Sequence, residues 1–238
     1  MAGSAPGIVI TGAAGDLGRA LVARFLGDGW SVFGADVAPL APAAGLVGVP
    51  LDVTDRAAVF ALAARAERES RLAAWINAAG VFAAGPVATA DEAAWHRIIA
   101  INLTGTFHGC AASLPALARS GGGRIVNVGS ISGQVGGTGV HPAYGASKAG
   151  VHALTKTYAL EGARHGVLCN AVAPGLLEGR MGETFAPDRR ARLAQANPLR
   201  RLGRIAEVAE VIRFLVDPAS SYLNGVVLPV NGGAYMPG

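Results

Sequence analysis

Cysteine and lysine are almost missing from this chain. Cys110 and Cys169 are the only cysteines among 238 residues, which excludes a disulfide framework, and they show no metal-ligand spacing. They read as small buried hydrophobes in a reducing compartment, and no metal site is expected. Lys148 and Lys156 are the only lysines, so the formal net charge of +4 rests on arginines, scattered apart from a group between Arg189 and Arg204. A basic stripe of the kind that grips nucleic acid is therefore lacking, and no nucleic-acid partner is expected. Charged residues make up 15% and hydrophobic residues 51%, a balance that excludes a disordered chain. Long apolar runs are lacking too. Two long segments hold no Asp, Glu, Lys or Arg, from Ala73 to Ala90 and from Ile125 to Ser147, but Gly, Pro, Asn and Ser interrupt both, so neither reads as a membrane span. The opening MAGSAPG has no basic region leading into an apolar stretch, and a cytoplasmic location is expected.

What the chain does have is alternation. Apolar runs bounded by turn residues recur as IVIT from Ile8, SVFGAD from Ser31, GVPLDV from Gly48, AAWINAAG from Ala73, RIVNVGS from Arg124, LCNAVAPG from Leu168 and VVLPVNGG from Val226. Helix-like stretches lie between them, at about Asp16 to Asp28, Asp55 to Glu69, Ala93 to Arg119, Ala143 to Arg164 and Ala206 to Val216. The pattern predicts an α/β fold: a doubly wound parallel sheet of about seven strands with helices on both faces, in one domain spanning residues 1–238. Pro229 would remove a ladder hydrogen bond, so the last strand is expected at a sheet edge. One long irregular insertion, 176–204, follows a strand end, where binding loops of open sheets sit.

The first strand runs into TGAAGDLG and then a helix, the local arrangement that offers backbone N–H groups to a phosphate. Gly12, Gly15 and Gly18 keep the turn tight, let an anion approach the backbone and let the helix pack on the sheet. Asp36, at the end of the second strand, suits the hydroxyls of an adenosine ribose and repels a 2'-phosphate, which favours NAD over NADP. Asp16 is the anomaly, an anion in an anion-binding turn; it is expected to cap the first helix by accepting from the N–H of Gly18 or Arg19. Further on, HPAYGASKAG sets Tyr144 and Lys148 four apart on one helix face. A phenol is a poor base at neutral pH, and a neighbouring ammonium stabilises its phenolate, which makes Tyr144 a usable acid or base for a substrate hydroxyl.

Taken together, TGAAGDLG, Asp36, LDV around Asp52, NAAG from Asn77, IAINLTGTF around Asn102, IVNVGSISG around Ser130, YGASK, NAVAPG ending at Gly175 and VNGG cover essentially the whole chain, and in order and spacing the chain resembles the short-chain dehydrogenase/reductase family, in its short single-domain branch. The resemblance implies a Rossmann-like fold and a tetrad: Tyr144 exchanges the proton, Lys148 lowers the tyrosine pKa and holds the nicotinamide ribose, Ser130 bonds the substrate oxygen and Asn102 anchors a water. It implies a dinucleotide cofactor against Gly12, Gly15, Asp16, Leu17 and Gly18, adenine beside Asp52 and Val53, the adenosine ribose beside Asn77, Ala78, Ala79 and Gly80, and nicotinamide beside Pro174, Gly175 and Leu177. It also implies a homotetramer, with the long helices that carry Asn102 and Tyr144 at one interface and the Pro229 strand near another.

Four departures stand out. Ser130 precedes Tyr144 by fourteen residues where thirteen is usual, so the loop between them should bulge, and Ser132 is the fallback serine. The Thr that often follows the PG pair is missing from LLEGRM, NAAG replaces NNAG, and Asp16 stands where this branch usually has glycine. His141, with the 134–140 and 176–197 stretches, is a candidate substrate contact. The residues leave the substrate open between a small cyclic alcohol or diol, which NAD preference together with GASKAG and GVLCN suits, and a 3-oxoacyl thioester, which the arginine group suits. A non-catalytic, NAD-sensing protein is the alternative of another class.

Overall fold

The computed structural model describes residues 5–237; residues 1–4 and 238, which the sequence reading includes in the same domain, lie outside them. Seven strands form one parallel sheet: β1 (Pro6–Thr11), β2 (Ser31–Asp36), β3 (Leu46–Pro50), β4 (Arg71–Asn77), β5 (Gly123–Val128), β6 (Val167–Pro174) and β7 (Val227–Val230), in the order β3-β2-β1-β4-β5-β6-β7. From β1 the chain winds outward through β2 and β3, then returns to place β4 on the other side of β1. That reversal opens a crevice beyond the strand ends, the position where open α/β sheets bind ligands.

Strand residues alternate between two cores. Val9 packs with Phe33, Trp75 and Ile125 on one face, whereas Ile8 and Ile10 pack with Phe25, Ile76 and Val126 on the other. This burial on both faces is why the strands read as continuous apolar runs. Helix α1 (Asp16–Gly27) covers the second face together with the C-terminal helix described below. On the first face lie α2 (Arg56–Glu69) and a long rod made of α3 (Glu92–Ile98), a π-helical turn at Ile99–Thr104 and α4 (Gly105–Arg119). One continuous helix from Ala93 to Arg119 was the expectation; the wider π-helical turn at Ile99–Thr104, which includes Asn102, interrupts it. Cys110 and Cys169 are wholly buried, in the first core.

After β5 come a one-turn helix, α5 (Ser132–Val135), and the 22-residue α6 (Pro142–Ala163). The stretch 176–204 is less irregular than expected, because it contains α7 (Arg180–Glu183) and the ten-residue α8 (Pro187–Ala196). Pro187 starts α8, where its missing N–H costs nothing. Helix α9 (Ile205–Val216) then packs beside α1, and β7 ends the sheet at its edge, with Pro229 in register with Ala173. Among the described residues no helix is long and apolar enough to cross a membrane.

Candidate active site

At the end of β1, Gly12 turns with φ +70°, and a Cβ there would stand 2.7 Å from the backbone of Ala79. A Cβ on Gly18 would lie 2.0 Å from the Gly12 carbonyl, so only glycine lets α1 close onto the turn. The N-cap of α1 is Gly15, and no side chain caps the helix, which leaves its first N–H groups facing the crevice for an anion. Asp36 reaches the same turn: its carboxylate accepts the Ala14 N–H at 2.9 Å and the Ala38 N–H at 2.9 Å.

Asp16 is not the N-cap. It occupies the first helical position, and its carboxylate turns to the opposite wall, where Oδ2 accepts the Arg180 N–H at 2.8 Å and Oδ1 accepts Arg180 Nε at 2.8 Å and Arg19 Nη2 at 2.8 Å. Burial alone would raise this carboxyl; the Arg180 N–H and guanidinium, with Arg19, outweigh it and hold the group below the usual aspartate range. Two guanidiniums satisfy a carboxylate better than a helical N–H does, so the tertiary contact displaces the local cap.

Helix α6 carries Tyr144 and Lys148, both buried, one turn apart. His141 starts the helix: Nδ1 accepts the Ala143 N–H at 3.3 Å, which leaves Nε2–H to donate to the Asp91 carbonyl at 3.1 Å. Both ring nitrogens are thus spent on the backbone, and His141 does not line the cleft; the expected substrate contact is corrected to a helix cap. The segment between Ser130 and Tyr144 folds into α5 and turns at Gly136 (φ 74°) and Gly139 (φ 61°). Ser130 comes close enough to the phenol to oppose its upward shift, and its Oγ accepts the Ser132 N–H at 3.1 Å.

Burial pushes the Tyr144 phenol above its ordinary pKa, with the Ser130 side chain opposing. Burial also brings the Lys148 ammonium down to about 8. Lys148 Nζ donates to the Val128 carbonyl at 2.7 Å and lies 5.9 Å from the centre of the Tyr144 ring. Desolvation is the dominant influence on the phenol. Asn102, wholly buried, clasps Val81: Oδ1 accepts its N–H at 2.8 Å and Nδ2 donates to its carbonyl at 2.9 Å and to Ser147 Oγ at 3.2 Å. Gly80 borders both side chains: a Cβ there would stand at ordinary contact distance, 3.4 Å from Asn102 Oδ1 and 3.5 Å from Lys148 Nζ.

A cleft of about 680 Å3 has a lining that runs from Gly12, Gly15, Leu17 and Gly18, past Ala78 and Gly80, to Ser130, Tyr144, Lys148, Pro174, Gly175 and Leu177; Asp36 and Asn102 are not among the lining residues. One end is aromatic. Phe82 meets Tyr144 edge-on at 5.0 Å and Phe185 at 5.4 Å, and Arg189 lies 4.7 Å over Phe185 while donating to the Thr138 carbonyl. Met181 Sδ is 4.0 Å from the Tyr144 hydroxyl. Several expected residues sit elsewhere. The Asn77 side chain points into the core, accepting from Trp75 Nε1 and donating to Asn127, each at 2.8 Å. The Asp52 carboxylate is taken by Thr54, and Val53 is buried, its carbonyl 3.0 Å from His108 Nδ1. Ala79 packs under Gly12 and donates its N–H to Thr11.

The sequence reading missed His152. It continues the Tyr144–Lys148 row by one more turn, its Nε2 accepts the Ser130 N–H at 3.5 Å, and it fills a notch that Cβ atoms on Gly129 or Gly133 would close. The spacing of four was the available signal. Arg180 and Phe185 carried none, because their places depend on how 176–204 folds back.

A family model described as enoyl-(acyl carrier protein) reductase matches residues 12–235. Among curated proteins the chain is 40% identical to cis-4-hydroxycyclohexanecarboxylate dehydrogenase of Sinomonas cyclohexanicum, over 94% of each chain. It is 35% identical to 3-oxoacyl-[acyl-carrier-protein] reductase of Thermotoga maritima, over 94% of this chain and 96% of that protein, and 35% identical to galactitol 2-dehydrogenase (L-tagatose-forming) of Cereibacter sphaeroides, over 94% and 92%. With the parallel sheet, the glycine turn and the buried Tyr144–Lys148 pair in one cleft, these matches make the chain a member of the short-chain dehydrogenase/reductase family, a family of oxidoreductases.

Proposed function

We propose that this protein interconverts a secondary alcohol and a ketone, with NAD bound along the cleft. The observation that carries the reading is the meeting, in one cleft, of the buried Tyr144 phenol, the Ser130 hydroxyl and the Lys148 ammonium with an uncapped glycine turn at the other end. A bound nicotinamide supplies the hydride chemistry. Tyr144 moves the proton at the substrate oxygen, and Ser130 orients that oxygen. Lys148 would hold the nicotinamide ribose, and Asn102, fixed on Val81, would anchor the relay water. Gly12, Gly15, Leu17 and Gly18 would cradle the pyrophosphate. Asp36 supports NAD over NADP, because a carboxylate held against the turn accepts ribose hydroxyls and repels a 2'-phosphate.

The substrate end supports a small, largely apolar ring bearing the alcohol. Phe82, Val140, Leu176, Phe185 and Leu193 line it, and Arg189 stands over Phe185 as a partner for an anionic substituent. A relative named for a hydroxycyclohexane carboxylate fits this combination. A 3-oxoacyl thioester is the second reading, favoured by Arg189, Arg190 and Arg192 on α8 and by the acyl-carrier-protein relative. The test follows NADH and NADPH absorbance with purified protein across cyclic alcohols, diols, sugars and 3-oxoacyl thioesters. Faster turnover of a carboxylated cyclic alcohol with NAD is expected. Turnover of the thioester alone would favour the second reading, and no redox turnover of any class would leave a nucleotide-binding protein without catalysis.

A further inference from the structure

Two departures from the family pattern meet in space. Asp16 replaces a glycine in the first turn, and Gly179 and Arg180 lie in the stretch that lacks the usual threonine. Although 164 residues apart, Asp16 and Arg180 are joined twice, through the Arg180 N–H and Nε, and Arg180 Nη2 adds a bond to the Ala14 carbonyl at 3.2 Å. Gly179 completes the fit. It has φ +109°, and a Cβ there would stand 2.8 Å from Asp16 Oδ2, where it would push the carboxylate away. The carboxylate thus requires a glycine opposite, and the guanidinium is held by the carboxylate.

The electrostatic result reverses the first impression of Asp16. One carboxylate is bonded to two guanidiniums, those of Arg19 and Arg180, so the group carries a net positive charge at the start of α1. Asp16 and Arg180 both line the cleft, one on each wall. A guanidinium has five N–H donors in a fixed fork, so Arg180 keeps donors beyond those given to Asp16 and Ala14.

We propose that Asp16 is a positioning residue that fixes Arg180 above the glycine turn, where Arg180 binds the pyrophosphate of the dinucleotide and ties the segment after β6 closed over it. The inference rests on the reading that the cleft binds a nicotinamide dinucleotide. It makes a prediction of unusual sign. If Asp16 only repelled the pyrophosphate, its removal would tighten binding; as a post for Arg180, its removal loosens it.

The test titrates NADH and NADPH by fluorescence into the unaltered protein, Asp16→Asn, Arg180→Gln, Arg180→Lys and the Asp16→Asn/Arg180→Gln double variant, with melting temperatures alongside. Arg180→Gln is expected to raise the NADH Kd about tenfold and Asp16→Asn at least about threefold, the range of one or two charge-assisted hydrogen bonds. The double variant should bind as Arg180→Gln does, since the post has no role without its arginine. Arg180→Lys should recover part of the loss, which a purely structural role would not give, and melting temperatures should move little because Arg180 is largely exposed. Asp16→Asn binding as tightly as the unaltered protein, or Arg180→Gln leaving Kd unchanged, overturns the proposal. Failure of the unaltered protein to bind either nucleotide overturns the dinucleotide reading, and the proposal with it.

Discussion

Tyr144 and His152 show what burial does to single groups on one helix face. Replacing Tyr144 by Phe keeps the edge-on packing against Phe82 and removes only the oxygen. We expect NADH to bind as before and kcat to fall by roughly 10^2 to 10^4, the range of general acid–base catalysis. A variant turning over at the unaltered rate would falsify the proton-transfer role. His152 is pushed from 6.5 down to about 4, first by burial and then by Lys148 and Lys156. Between those values the unfolded chain binds a proton that the folded chain refuses. His152 therefore contributes stability that is complete above pH 6.5 and drains away as the pH falls toward 4. Thermal melts of His152→Gln across this window should show a shallower acid-side fall than the unaltered protein; an identical slope would contradict the assignment.

At the scale of elements, the join of β1, its turn and α1 leaves no room for change. A methyl group on Gly18 meets the Gly12 carbonyl, so Gly18→Ala should lower stability by about 1–3 kcal/mol, the cost of overpacking, as read from denaturant midpoints. Asp36 ties β2 to the same turn through the Ala14 N–H. Asp36→Ala should reduce the preference for NAD over NADP by about tenfold or more in kcat/KM. Equal use of both cofactors before mutation would refute its role. These elements were legible from the sequence. Glycine spacing, the apolar run and the strand-end carboxylate are local features, and each acts within one βαβ unit. The π-helical turn at Asn102 was not legible, because IAINLT is an ordinary helical string and the wider turn is accommodated by what Asn102 finds, the Val81 backbone and Ser147.

For the whole molecule, 176–204 is the segment whose place depends most on partners. Its helices cover the cleft from the side opposite the glycine turn, and Met181 reaches the Tyr144 hydroxyl. Limited proteolysis should cut within it first, and NAD with substrate should slow the cut; protection elsewhere but not here would count against closure. Exposed Phe107 on α4 and Leu160 on α6 give the long helices apolar surface to cover. We expect a tetramer in solution, with a mass four times 23.9 kDa by light scattering, and a monomer would contradict it.

The seven strands, their flanking helices and the Tyr144–Lys148 pair could all be read along the chain, because burial on two faces and helical spacing leave their mark within a few residues. Asp16 and His141 could not. As single letters, one suits a helix cap and the other a substrate pocket, and the two exchange these roles' logic in space: His141 caps α6, while Asp16 reaches across the cleft to Arg180. A side chain's partner is whichever donor or acceptor the folded sheet brings closest, and here the C-terminal ends of β1 and β6 bring together groups that lie 164 residues apart in the chain.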